Sequence, residues 1–460
     1  MNVQISNAVY ILFEKLLHEY FNELIKYNEN PTEYFKFSEF IFGNTINPTT
    51  KTEYDRIEKR DVQGLPVVRQ LYKNRETVHI TNEISEKIIS SNLLLCLPDE
   101  VCSLVDSVVF STISEIFYSE PFPSELEQKN ILMDMLKKQV IILKNKFSKY
   151  EFKFPIHVFG LERNLSLYKG INLVKEDNVE LESRDLEQYM HSRTFEPNYN
   201  IHIISSVKSS KEYSSIRATR AREATANLLT CLYGVYLGND NTNGPFIKDE
   251  DYNPHYLHYF SSGKKGEALE GNRLYKFHYN ADKCKQFWDV FENDFSQQAV
   301  LHNLLFSIPS KIINNDNFDK TVASLTERSL RWFADAVNEK NHEIKIVKLA
   351  IAIESLVNFY SDSKKRDSHS EKFKETFIKR VCILNTYDES VESKAIKLYK
   401  ARSSIAHGST LKIAFDFDVI RFTAITILHA IQLFSMFKSK GLDETGFDRS
   451  LPHFIDANVT

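Results

Sequence analysis

Apolar residues recur at three- and four-residue steps along most of this chain, the spacing that lines one face of a helix, and give way to short alternating runs only in the middle. Residues 7–27 (NAVYILFEKLLHEYFNELIKY) and 127–147 (EQKNILMDMLKKQVIILKNKF) show the helical spacing, with Pro-containing breaks at 28–34, 46–50 and 119–126. The segments 152–162, 167–174 and 200–207 are short, rich in β-branched and aromatic residues and separated by turn formers, which predicts a small sheet. Residues 214–237 read as one long helix, 239–255 as a loop by composition, and 255–262 and 272–280 as two further strands. Helical spacing returns at 281–295 and 299–308.

Five more helices are predicted at 321–340, 342–360, 373–384, 391–407 and 417–437. The last is apolar nearly all round and calls for cover on most sides, within a bundle or by a second copy. A polar, asparagine-rich stretch at 310–320 (SKIINNDNFDK) reads as a boundary. The predicted organisation is a mainly helical region 1–150, a mixed region 151–310, a helical bundle 311–440 and a loosely attached tail 441–460. The fold class is α+β, mainly α.

The C-terminal helices carry the candidate chemistry. In VESKAIKLYKARSSIAHG (391–408), Ala395, Leu398, Tyr399, Ile405 and Ala406 form a stripe, and Arg402 lies on it, so the guanidinium points inward and needs an acceptor. His407 precedes Gly408, which places it where the helix stops. An imidazole there can exchange protons near neutral pH. Glu354 has Val347, Ala350, Ile351 and Val357 at neighbouring helical positions, so its carboxylate leaves solvent and is the natural partner for Arg402. Five helical residues rotate the chain by about 500°, which leaves Arg402 and His407 about 140° apart.

The R-x4-H spacing of Arg402 and His407 followed by Gly408, on the fourth helix of a C-terminal helical unit, resembles the HEPN superfamily, and with Glu354 inside the sequence AIES it resembles the Apea-like branch. The resemblance spans roughly residues 318–440. It implies a HEPN-type bundle that cleaves RNA without a metal or other cofactor, as a homodimer whose two motifs line one cleft. Arg402, His407 and Glu354 are the implied catalytic residues, and Ser403 and Ser404 are placed to bind phosphate. Ser403 stands where the commonest toxin versions carry Asn, Asp or His. The implied partner is RNA, transfer RNA among the candidates, in a role in anti-phage defence with residues 1–310 sensing a phage-derived trigger. Two other readings remain: a non-catalytic HEPN module that binds RNA or nucleotides, and a purely structural dimerisation bundle.

Composition narrows this only a little. Residues 311–440 hold 22 Lys and Arg against 16 Asp and Glu, while the rest holds 36 against 46, so the candidate catalytic part is the basic part. The five cysteines, Cys96, Cys102, Cys231, Cys284 and Cys382, are scattered among aliphatic neighbours and read as buried hydrophobes in a reducing compartment. No run approaches 18 uninterrupted apolar residues, so the expectation is a cytoplasmic protein with no membrane partner. Asp249, Glu250, Asp251, His255 and His258 read as an acidic loop entering an aromatic strand, not as a metal site. Arg217, Arg220 and Arg222 read as a solvated basic edge of the 214–237 helix. No Walker loop, dinucleotide fingerprint or nucleophile elbow is present.

Overall fold

The structure is a computed structural model that describes residues 6–29, 42–45, 70–91, 94–117, 119, 121, 123–175, 198–238, 246–248, 281–295, 298–315, 318–359, 370–385, 388–410, 413–439 and 447–457. It is α+β and mainly helical, and divides into two units, Met1–Tyr150 with Val207–Ser215, and Glu151–Ser206 with Ile216–Thr460. The candidate residues of the 255–262 and 272–280 strands, and Asp249, Glu250, Asp251, His255 and His258, lie outside the described residues.

The first unit contains α1 (Asn7–Glu29), β1 (Phe42–Thr45), β2 (Gln70–Lys73), α2 (Arg75–Ser90), α3 (Pro98–Phe117) and α4 (Glu125–Asn145). Its helices bury one stripe each, with Phe13, Leu16, Ile80, Ile84, Val105, Leu136 and Val140 in a shared core. Helix α2 starts where the Asn74 side chain accepts a hydrogen bond from the Thr77 amide at 2.8 Å, and α4 starts with a reciprocal Ser124–Glu127 capping box. The antiparallel pair β1–β2, with Phe42 opposite Lys73, is absent from the helical reading of residues 1–150, because four-residue strands leave too little periodicity to detect.

The second unit opens with β3 (Glu151–Val158), β4 (Leu165–Tyr168), β5 (Ile171–Lys175) and β6 (Tyr199–Ile204), followed by α5 (Lys211–Leu237) and β7 (Phe246–Lys248). These strands form one antiparallel sheet in the order β4-β5-β6-β3-β7, with Phe154 opposite Ile201 and Leu173 opposite Ile201 on the other side. Strand β7 falls in the stretch that composition marks as loop. Ile156, Val158, Leu167, Ile171, Leu173, Ile201 and Ile203 alternate into the core.

Helices α6 (Ala281–Val290), α7 (Ala299–Asn314), α8 (Val322–Val337), α9 (His342–Val357), α10 (Ser370–Leu384), α11 (Val391–Ala406), α12 (Val419–Ser439) and α13 (Phe447–Ala457) complete the unit. Helix α9 packs against α8, α10, α11 and α12, and buries Ile346, Leu349, Ala350, Ala352, Ile353, Leu356 and Val357. Helix α12 is long and apolar enough to cross a membrane by length and composition, and here it packs against α7, α8, α9, α10 and α13. These contacts bury 56% of the apolar span, while Met436 stays exposed and Ile425, Leu428 and Leu433 half-buried.

Three expectations are corrected. The boundary at 310–320 does not separate folding units: Phe306, Ile308, Ile312 and Ile313 of α7, and Phe318, belong to the same buried cluster as the bundle and the sheet. Groups of this stretch accept from half-buried arginines of α5. Arg217 donates to the Ile312 carbonyl at 2.6 Å, and Arg220 lies 2.7 Å from Asp319 and 3.1 Å from Glu327. For the same reason the basic edge of α5 is not a solvated face; Arg222 is itself buried. The tail holds α13, which inserts Phe447, Leu451, Phe454 and Ile455 into the core. Asp456 of α13 accepts two 3.2 Å hydrogen bonds from buried Arg380, whose third donor reaches the Val357 carbonyl at the end of α9. Burial pushes the Asp456 carboxyl up, but the adjoining Arg380 and Lys379 outweigh it and hold it below its ordinary value.

Leu451 is fully buried, so Leu451→Ala is expected to destabilise the protein by about 2–5 kcal/mol. Chemical denaturation checks this. A tail merely draped on the surface would leave the midpoint unchanged.

Candidate functional site

The site is assembled by two helices of the second unit. Asn341 caps α9 through side-chain hydrogen bonds from the Glu343 and Ile344 amides at 2.9 and 3.1 Å, and Glu354 follows in the last turn of that helix. On α11 the buried positions Val391, Ala395, Leu398 and Ala401 set the face that packs inward, with Arg402 at its margin. The two meet: Arg402 Nη2 lies 3.2 Å from Glu354 Oε2. The expected pairing of these residues is thus present in the fold.

The environment is unequal for the two partners. The Glu354 side chain keeps 15% of its surface exposed and that of Arg402 keeps 33%. Burial raises the Glu354 carboxyl above its ordinary value, and the Arg402 guanidinium offsets this only in part. Arg402 Nε is enclosed and has no hydrogen-bond partner among the described residues. One edge of the guanidinium is therefore held by Glu354, the enclosed Nε has no acceptor among the described residues, and a third of the side chain stays exposed. Such a group is oriented and electrostatically hungry, which is the condition for binding a phosphate oxygen.

His407 ends α11. The Gly408 amide donates to the Ile405 carbonyl at 2.9 Å and the Ser409 amide to the Ser404 carbonyl at 3.0 Å, the paired 5→2 and 6→1 bonds of a Schellman stop. Gly408 has φ +80°, and a Cβ there would meet no heavy atom within 4 Å, so glycine is required by the backbone angle and not by space. The imidazole of His407 is exposed, and Ser403 and Ser404 are half-buried one turn earlier. Among the described residues the His407 side chain has no hydrogen-bond partner. The structure brings Glu354 and Arg402 together and leaves His407 on the outside of the same helix end.

Tyr399, read from sequence only as an apolar stripe position, also belongs to this neighbourhood. Its ring lies 5.2 Å from that of Phe377, and its hydroxyl is pushed up by burial and by the Glu354 carboxylate, with Arg402 opposing. The available signal was its position three residues before Arg402 on one helix face. No group of three or more His, Cys, Asp or Glu side chains among the described residues is placed to hold a metal ion. No family model, curated protein or solved structure matches the chain.

The raised Glu354 carboxyl has a consequence for stability. A carboxyl raised in the folded state contributes stability that is whole below the ordinary value of 4.5 and is lost as the pH rises through the folded-state value. Ionised Glu354 is therefore a net cost at neutral pH. Glu354→Gln is expected to melt at or above the wild-type temperature at pH 7, with the difference shrinking as the pH falls toward 4.5. Thermal melts across that range check it; a variant melting well below wild type at pH 7 would mean that attraction to Arg402 outweighs burial.

Proposed function

We propose that this chain is a metal-independent endoribonuclease of the HEPN type whose cleft is shared by two copies. The observation that carries the reading is the Glu354–Arg402 contact, which holds a partly exposed guanidinium beside a helix end that carries His407. In the reaction a ribose 2'-hydroxyl loses its proton to a base and attacks the adjacent phosphorus. The bond to the 5'-oxygen breaks, that oxygen takes a proton from an acid, and a 2',3'-cyclic phosphate and a 5'-hydroxyl remain. Arg402 stabilises the charge that gathers on the phosphate, and the His407 residues of two subunits serve as base and acid. Ser403 and Ser404 add donors to the same phosphate. DNA lacks the attacking hydroxyl and is spared.

A homodimer supplies what one helix cannot, since Arg402 faces α9 and His407 faces solvent. The wider role that follows by resemblance is that of a toxic effector in anti-phage defence, with the region before residue 310 sensing the trigger. The solvent-facing, unrestrained imidazole favours one second reading, in which Arg402 anchors RNA phosphate without turnover.

His407→Ala is expected to lower cleavage by about 10² to 10⁴ while the melting temperature stays at the wild-type value and a chelator leaves the wild type active. Cleavage of a labelled RNA by the purified proteins checks this. Undiminished cutting by the variant would remove His407 from the chemistry, and RNA binding without cutting by the wild type would leave the anchoring reading. Sedimentation belongs with the same assay: full specific activity from a monomer at micromolar concentration would exclude a shared cleft.

A further inference from the structure

A cavity of about 390 Å³ opens between the start of α11, the turn before it and the first half of α12. It lies at the other end of α11 from Arg402, eight residues or about 12 Å away along the helix. Its wall includes His429, midway along α12.

A buried hydrogen-bond relay fixes this histidine. Asn385 Nδ2 donates to the Val381 carbonyl and to Thr426 Oγ1, both at 3.0 Å, so its Oδ1 is the atom that faces His429 Nδ1 at 3.0 Å. That oxygen can only accept, which puts the imidazole proton on Nδ1 and leaves Nε2 as an acceptor. Burial lowers the His429 pKa and so favours the neutral ring, while a hydrogen bond to the Leu384 carbonyl opposes that shift. A buried network of this kind gains little stability over an apolar core, so what it delivers is the orientation of one ring.

The charged groups of the wall are already committed. Lys394 lies 2.6 Å from Asp388, whose carboxyl is drawn down to about 2 by Lys394 and Ser390. Asp418 accepts from the Arg421 amide at 2.9 Å, and the Arg421 guanidinium reaches the Val235 and Tyr236 carbonyls at the end of α5. Two cations and two anions that satisfy one another or the backbone leave no net charge for an ionic ligand. The remaining surface is aromatic: Phe417 meets Phe415 and Phe422 edge-on, each at 5.5 Å, and the Lys394 ammonium lies 5.9 Å from the Phe417 ring centroid on one face, so a ligand would stack on the other. A stacking surface, one oriented acceptor and a neutral wall define the complementary molecule.

We propose that this cavity binds an uncharged, flat heteroaromatic molecule of the nucleobase class, stacked on Phe417 and donating an N–H to His429 Nε2. The site goes beyond the cleavage reading and does not depend on it. Calorimetric titration of the full chain with adenosine, guanosine, cytidine and uridine, with ribose as control, tests it. At least one nucleoside should bind at one site per chain and ribose should not. His429→Phe, which keeps a ring and removes the acceptor, and Phe417→Ala should each weaken binding about tenfold or more. Melting temperatures identify a variant that fails to fold, and if His429→Phe does, Phe417→Ala alone decides. Absence of binding by all four nucleosides at millimolar concentration, or unchanged affinity in the folded variants, would overturn the proposal.

Discussion

A carboxylate on an enclosed helix sets the terms for everything around it. Glu354 stands in the last turn of α9, which four other helices surround, and a carboxylate taken out of water demands a cation or its own proton. The 3.2 Å contact with Arg402 meets that demand from α11. Once it forms, α11 cannot rotate without breaking the pair, and with α11 fixed the imidazole at its end is turned outward. The raised Glu354 carboxyl shows that the attraction does not repay the desolvation in full. The pair is thus better understood as an orienting device than as a stabilising one.

Two other arginines of the second unit behave differently. Arg380 is almost wholly enclosed, and its Nε, Nη1 and Nη2 all find acceptors in Asp456 and the Val357 carbonyl. Arg421 spends its donors on the last carbonyls of α5. Both close helix C-termini that would otherwise leave unpaired oxygens. They hold elements in place and have little left for a ligand.

Much of this was legible in the sequence, and what was missed has a common physical cause. Apolar periodicity located the sheet and the helices of the bundle, and the stripe arithmetic brought Glu354 and Arg402 together, because both depend on spacing within one element. The partner of Arg380 lies 76 residues away on a helix that composition reads as a loose tail. The acceptors of Arg217 and Arg220 sit in an asparagine-rich stretch that reads as a linker. Arg217 and Arg220 read as solvated, and the tail as loose, because the partners involved are distant in sequence. Composition records how a residue type behaves on average, and a buried arginine matched by remote carbonyls or carboxylates looks the same as a surface one.

Arg402 differs from the structural arginines in what it leaves undone. Arg220 also has an enclosed Nε without a partner, but carboxylates of Asp319 and Glu327 lie within 2.7 and 3.1 Å and balance its charge. Arg402 has one contact, to a carboxylate that burial inclines toward its neutral form. Among the described residues that carboxylate is the one counter-charge in contact with the guanidinium, and burial opposes its ionisation. Under the proposed reading, a phosphate reaching the exposed part of that side chain would supply both charge and acceptor. The imbalance that makes the pair a poor stabiliser is the property that would make it a binding site. An equally exposed arginine with a solvated, fully ionised partner would hold phosphate less strongly.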